Sequence, residues 1–99
     1  MSVANMPAIH PGEILRDLYL EPLDMSAGAL AKKLNVPRTR IERIVTEKIG
    51  ITSDTALRLA RYFDTTPEFW MNLQTGYDLK VEAERMHDEI DRIPVHQAA

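Results

Sequence analysis

Ser26-Ala27-Gly28-Ala29-Leu30-Ala31-Lys32-Lys33-Leu34-Asn35-Val36-Pro37-Arg38-Thr39-Arg40-Ile41-Glu42-Arg43-Ile44 is the stretch whose reading decides the fold. Its apolar positions, Leu30, Ala31, Leu34, Val36, Ile41 and Ile44, predict two short helices joined by a tight turn. That is the layout of a DNA-binding helix-turn-helix. Ser26 is placed to cap the first helix with its side-chain oxygen, and the small Ala31 lets a crossing helix come close. The turn falls at Asn35-Val36, where Asn tolerates the left-handed backbone that ends a helix. Pro37 suits the first turn of the next helix. Ile41 and Ile44, on one face, pin that second helix to a core and leave Arg38, Thr39, Arg40 and Arg43 pointing outward.

Helical signals continue on both sides. Residues 1–9 lack periodicity and read as a flexible arm. Pro11 opens helix one, His10 helps start it, Ile14, Leu15, Leu18 and Tyr19 form its core face, and Pro22 ends it. Ile49 and Gly50 mark a turn. Thr52 then caps helix four, with Asp54 in its first turn and Ala56, Leu59, Ala60 and Phe63 on the buried side. Thr66-Pro67-Glu68 starts helix five, buried through Phe69, Trp70 and Leu73. Past Gly76 a further helix is expected, with Leu79, Ala83, Met86, Ile90 and Ile93 in a heptad-like stripe that Pro94 closes. The stripe has three readings: it packs on its own domain, pairs two subunits, or orders on a partner. The expected organisation is a helix-turn-helix domain over 10–75, a C-terminal helix over 76–94 as a possible dimerisation element, and a frayed tail over 95–99.

Ninety-nine residues, 44% of them hydrophobic, suffice for one small core, so the fold class is all-α. The absence of Cys excludes disulfides and zinc-thiolate sites and fits a cytoplasmic protein. No apolar run reaches the length of a membrane span, so no membrane partner is expected. A net charge of −3 looks wrong for a DNA binder, since affinity comes largely from neutralising phosphates. The charge is unevenly spread: Lys32, Lys33, Arg38, Arg40, Arg43 and Lys48 face only Glu42 and Glu47 within 32–48, and the acidic excess lies elsewhere. Such a chain can meet DNA with one face and a basic protein with another.

Gly28, inside the first helix of the pair, costs up to about 1 kcal/mol relative to Ala and reads either as a site of close approach or as an unimportant exposed position. His10, His87 and His96 lack metal-ligand spacing, so no metal is expected. No phosphate loop, Cys nucleophile or His-centred triad is recognisable, which argues against an enzyme and against a cofactor. Trp70 could stack on a base, but its helical spacing with Phe69 and Leu73 favours core or subunit interface. Trp70, Asn72, Leu73 and Tyr77 are the candidates for a dimer interface, and Asn72 and Gln74 could hydrogen-bond across it. Glu13, Asp17 and Glu21, at spacings of four, form an acidic stripe that is the candidate surface for a basic protein, against ordinary solvated surface. Asp88, Glu89 and Asp91 are a second acidic cluster, read first as a solvated helix face.

Three further segments carry a family resemblance: His10-Pro11-Gly12-Glu13-Ile14-Leu15; Gly50-Ile51-Thr52-Ser53-Asp54-Thr55-Ala56-Leu57-Arg58-Leu59-Ala60; and Phe69-Trp70-Met71-Asn72-Leu73-Gln74 followed by Tyr77-Asp78-Leu79. With the helix-turn-helix they cover about His10 to Leu79, and in this order and spacing the chain resembles the HigA-type antitoxins. These are a branch of the lambda-repressor-like helix-turn-helix proteins that includes VapI-like regulators. The resemblance implies a five-helix bundle, here with an extra C-terminal helix. It also implies a homodimer that binds double-stranded operator DNA at an inverted repeat and represses its own operon. The implied partner is a cognate basic toxin, typically a RelE-like ribonuclease that cuts mRNA, neutralised by complex formation. Carried onto this sequence, Arg38, Thr39 and Arg43 fall on the groove-facing side of helix three as base contacts. Arg40 and Lys48 are placed for phosphates, with Lys33 and Thr46 as weaker candidates. Glu47, in a loop where relatives often carry more basic residues, would repel a phosphate. A solitary regulator using the same DNA face, without a toxin, is the alternative.

Overall fold

The computed structural model describes residues 7–97 and is helical throughout, with no strand among the described residues. Helix α1 spans Pro11–Ile14 and continues as a π-helical segment, Leu15–Leu20; α2 is Ala27–Leu34, α3 Arg38–Val45, α4 Ser53–Phe63, α5 Pro67–Arg85 and α6 His87–Asp91. The starts follow from caps: His10 Nδ1 accepts from Gly12 N at 2.9 Å, Ser26 Oγ from Ala29 N at 3.0 Å, and Thr66 Oγ1 from Phe69 N at 3.1 Å. Thr52 caps α4 in the same way. Pro37 occupies the cap position of α3, one residue earlier than expected.

Among the described residues four have left-handed backbone, Asp24, Asn35, Glu47 and Asp64, and no glycine does. Asn35 and Asp64 end α2 and α4 as the short polar side chains that best tolerate this conformation.

The core is built from Leu15, Leu20, Leu30, Ala31, Leu34, Ile41, Ile44, Ile51, Ala56, Leu59, Ala60 and Trp70. Trp70 is fully buried, donates from Nε1 to Thr65 Oγ1 at 2.8 Å, and packs against Tyr19 at a ring separation of 5.0 Å. Its side chain therefore has no surface to give to a second copy, and of its two expected roles it takes the core one. Phe69, expected inside, lies 37% exposed on the rim of this aromatic cluster.

Helix one departs from the expected face. Leu18 is 63% exposed, whereas Leu20 is buried beside Leu15. The cause is π winding, in which the amide of Glu21 reaches the carbonyl of Arg16 at 2.9 Å. A five-residue repeat brings positions 15 and 20 to one side and turns position 18 outward.

Gly76 does not interrupt the chain: α5 runs through it to Arg85. A glycine ends a helix when it takes the left-handed conformation, and Gly76 does not. Gln74 Nε2 bonds Asp78 Oδ1 across it at 2.9 Å, and Tyr77 packs edge-on against His10 at 4.9 Å, so both sides of the glycine are held helical. The C-terminal half of α5 and α6 project from the bundle, giving a molecule 56 Å long and 24 Å across. The stripe is interrupted at Met86, where α5 ends, and Leu79, Ile90 and Ile93 are 65, 49 and 64% exposed. Packing on its own domain is thus not what the stripe does. Of the expected arm, residues 1–6 lie outside the described residues, and Pro7 to Ile9 are non-helical and exposed. Of the expected tail, residues 98 and 99 lie outside them.

Candidate nucleic-acid interface

Helix α3 divides cleanly. Ile41 and Ile44 are fully buried, and at about 100° per residue the opposite direction is occupied by Thr39, Glu42, Arg43 and Thr46, with Arg38 and Arg40 on the two flanks. Arg38, Thr39 and Arg43 are exposed as expected. Arg43 makes no ion pair among the described residues and is exposed. Arg38 Nε lies 3.4 Å from Glu42 Oε1, one turn along the same helix. Gly28 of α2 underlies this arginine: a Cβ there would stand 3.0 Å from Arg38 Cδ, so the glycine makes room for the aliphatic stem. An open groove between the start of α2 and α3 is lined by Ser26, Gly28, Ala29, Lys32 and Arg38.

The four phosphate candidates fare differently. Lys33 and Lys48 are exposed and make no ion pair among the described residues. Thr46 spends its hydroxyl on the carbonyl of Glu42, 2.7 Å away, as a cap for the end of α3. Arg40 is held at 2.5 Å by Asp54 Oδ2, so reaching a phosphate requires it to leave that partner.

Asp54 joins two elements. Its carboxylate accepts from Arg58 Nε at 3.1 Å as well as from Arg40, and Arg58 Nη1 donates to the Leu34 carbonyl at 2.8 Å. Arg58 thus caps α2 from α4 while Asp54 ties α4 to α3. Hydrogen bonds from Arg58 first, and Arg40 second, hold the Asp54 carboxyl below its ordinary range. A depressed native pKa adds stability above the unfolded-state pKa that is lost as pH falls through the native one. Acid unfolding followed by circular dichroism should therefore be less steep below about pH 4 for Asp54→Asn than for the parent. Equal slopes would show that this network contributes nothing at acid pH.

At the other end of α3, Arg16 Nη1 donates to the Val45 carbonyl at 2.9 Å, and the same guanidinium pairs with Asp17 at 2.8 Å and approaches Glu47 at 3.7 Å. Helix α3 is therefore tied from helix one as well as from α4. The sequence reading missed Arg16, Asp54 and Arg58 as supports. Only the Asp54–Arg58 pair had a local signal, an acid four residues before a base.

Of the interface candidates besides Trp70, Asn72 is exposed and Leu73 and Tyr77 are half-buried. Ile9, Asn72, Leu73, Gly76, Tyr77 and Lys80 line a shallow groove on α5. Gln74 is engaged within the chain, its Oε1 accepting from Ile51 N at 2.6 Å. In the acidic stripe Glu21 is exposed, Glu13 is half-buried and Asp17 is committed to Arg16. No group of three or more His, Asp or Glu side chains among the described residues is arranged to hold a metal ion. No helix among them is long and apolar enough to cross a membrane.

The family model described as helix-turn-helix matches residues 15–70. Virulence-associated protein I of Dichelobacter nodosus is 62% identical over 77 residues, covering 78% of this chain and 71% of that protein. Antitoxin HigA-1 of Vibrio cholerae is 33% identical over 78 residues, 79% of this chain and 73% of that one. The structure of the Pseudomonas aeruginosa antitoxin HigA with the higBA promoter superposes with a TM-score of 0.89 at 44% identity, over 92% of this chain and all of that one. With a lambda-repressor-like helical fold, a matching helix-turn-helix and these relatives, the chain belongs to the HigA-type antitoxins, a family of helix-turn-helix regulators and not of enzymes.

Proposed function

We propose that this protein is a cytoplasmic repressor and antitoxin that acts as a homodimer. It binds an inverted-repeat operator with α3 in the major groove and neutralises a basic, RelE-like mRNA-cleaving toxin by complex formation. The observation that carries the DNA reading is the division of α3, with Ile41 and Ile44 sunk in the core and Arg38, Thr39 and Arg43 presented outward. A helix fixed on one side and cationic on the other is what a groove reader requires. Lys33 and Lys48, both exposed, add charge for phosphates. The HigA of Pseudomonas aeruginosa, solved with its promoter, supports DNA binding by this chain.

Dimerisation is assigned to the α5 side. Asn72, Leu73 and Tyr77 border its groove, and Leu79, Ile90 and Ile93 continue an uncovered apolar surface along the projecting segment, residues 76–94. The toxin surface is assigned to the arm and helix one through Glu13, Asp17 and Glu21. The pairing of Asp17 with Arg16 weakens that stripe and favours the second reading, a solitary regulator with the same DNA face.

Expression of the reading frame adjacent to this gene, with and without this protein, separates the two. Toxicity relieved through a co-purifying complex is the expected result. No toxicity, or toxicity without rescue, leaves the solitary regulator.

A further inference from the structure

Glu42 is an acidic side chain on the face that should approach a polyanion, and the groove-reading role argued above does not use it. Its side chain is 48% exposed on the outward side of α3, and its carboxylate is 3.4 Å from the guanidinium of Arg38. An ionised carboxylate only accepts hydrogen bonds. In the major groove it is repelled by phosphates, by the O6 and N7 acceptors of guanine and by the O4 of thymine. Adenine offers an amino donor but sets the N7 acceptor beside it, whereas cytosine offers its N4 amino group with no acceptor on that edge. A carboxylate at this position therefore has one fully compatible base.

Arg38 completes the pattern. A C·G pair presents, across its major-groove edge, the cytosine N4 donor beside the guanine O6 and N7 acceptors. The Arg38–Glu42 pair presents an acceptor beside a fork of donors. Ordinary helix stabilisation explains an exposed pair at this spacing only weakly, since such pairs add little, while the acid costs affinity for any phosphate nearby.

Resting on the proposed DNA-reading role, we propose that Arg38 and Glu42 act as one unit that reads a single C·G base pair in each half-site, Glu42 on cytosine N4 and Arg38 on guanine. Glu42 is then a specificity residue that lowers binding to all other sequences. Arg43 and Thr39 read separately.

Binding-site selection from a random duplex pool, with the parent, Glu42→Gln and Arg38→Ala, tests this, followed by anisotropy titrations on duplexes changed at single positions. Because both side chains are exposed, thermal melts should be unchanged. The parent is expected to prefer C·G at one position per half-site by about 5- to 150-fold. Arg38→Ala should lose preference at that same position. Glu42→Gln should shift it from cytosine toward adenine, whose N6 and N7 a glutamine amide can bind together, and should strengthen binding to scrambled duplex. A selective parent whose preferences survive Glu42→Gln at every position, or change at a position other than that of Arg38, overturns the paired readout and leaves the groove-reading role standing. A parent that selects no sequence overturns both.

Discussion

Gly12→Ala is expected to destabilise the protein by about 1–3 kcal/mol or more, lowering the Tm on the order of 10 °C. A Cβ at this position would stand 1.8 Å from the backbone oxygen of Ile44, closer than any contact that side-chain adjustment could relieve. Backbone on backbone leaves only movement of whole elements, so α1 must back away from α3. The change also disturbs the start of helix one, since His10 Nδ1 accepts from the Gly12 amide and would lie 3.0 Å from the new methyl. Gly76→Ala is the matched control. It sits in the interior of α5 with open space around its Cβ position and should stabilise by up to about 1 kcal/mol. Thermal melts of the two variants in one buffer decide the matter: similar shifts for both would mean that α1 and α3 are not in backbone contact. Because Ile44 belongs to the recognition helix, Gly12→Ala should also weaken DNA binding in proportion to the displacement of α3, with its surface charge untouched.

Arg43→Ala is expected to cost about 1–3 kcal/mol at the selected site and to relax preference at one base position, with no loss of stability. Arg43 carries no ion pair among the described residues, so it would give up no internal partner in gripping the two acceptors of a guanine. That distinguishes it from Arg40, which must first leave Asp54. Lys48→Ala provides the contrast. As a phosphate contact it should weaken operator and scrambled duplex alike and reduce the salt slope by about one. Titrations of both variants against both duplexes at several salt concentrations separate the roles. Equal losses for Arg43→Ala on the two duplexes would make it a positioning residue, and an unchanged slope for Lys48→Ala would remove it from the phosphate set.

Much of this was legible because local chemistry and global packing agree. Ser26, Thr52 and Thr66 start helices by a short-range hydrogen bond, Asn35 ends one by its backbone tolerance, and Ile41 with Ile44 define a buried face by spacing alone. Leu18 was misread, and Leu20 left out of the core face, because an apolar stripe is projected with a period of 3.6 and the chain locally uses a longer one. Gly76 was misread because glycine permits a helix end without compelling it. The pairings of Arg16 with the Val45 carbonyl, Arg40 with Asp54 and Gln74 with Ile51 bridge 29, 14 and 23 positions, beyond any local pattern. For the same reason the face of α3 was legible, but the freedom of each of its cations was not.

The eight residues of α3 keep their duties apart: inward positions anchor and outward positions meet solvent. Exchanges on the outer side therefore cost little foldedness, while the inner side and Gly12 hold the helix at a constant pose. On such a scaffold, descendants of one gene can drift to different operators through a handful of substitutions and cease to cross-regulate. New regulatory wiring then arises without a new fold.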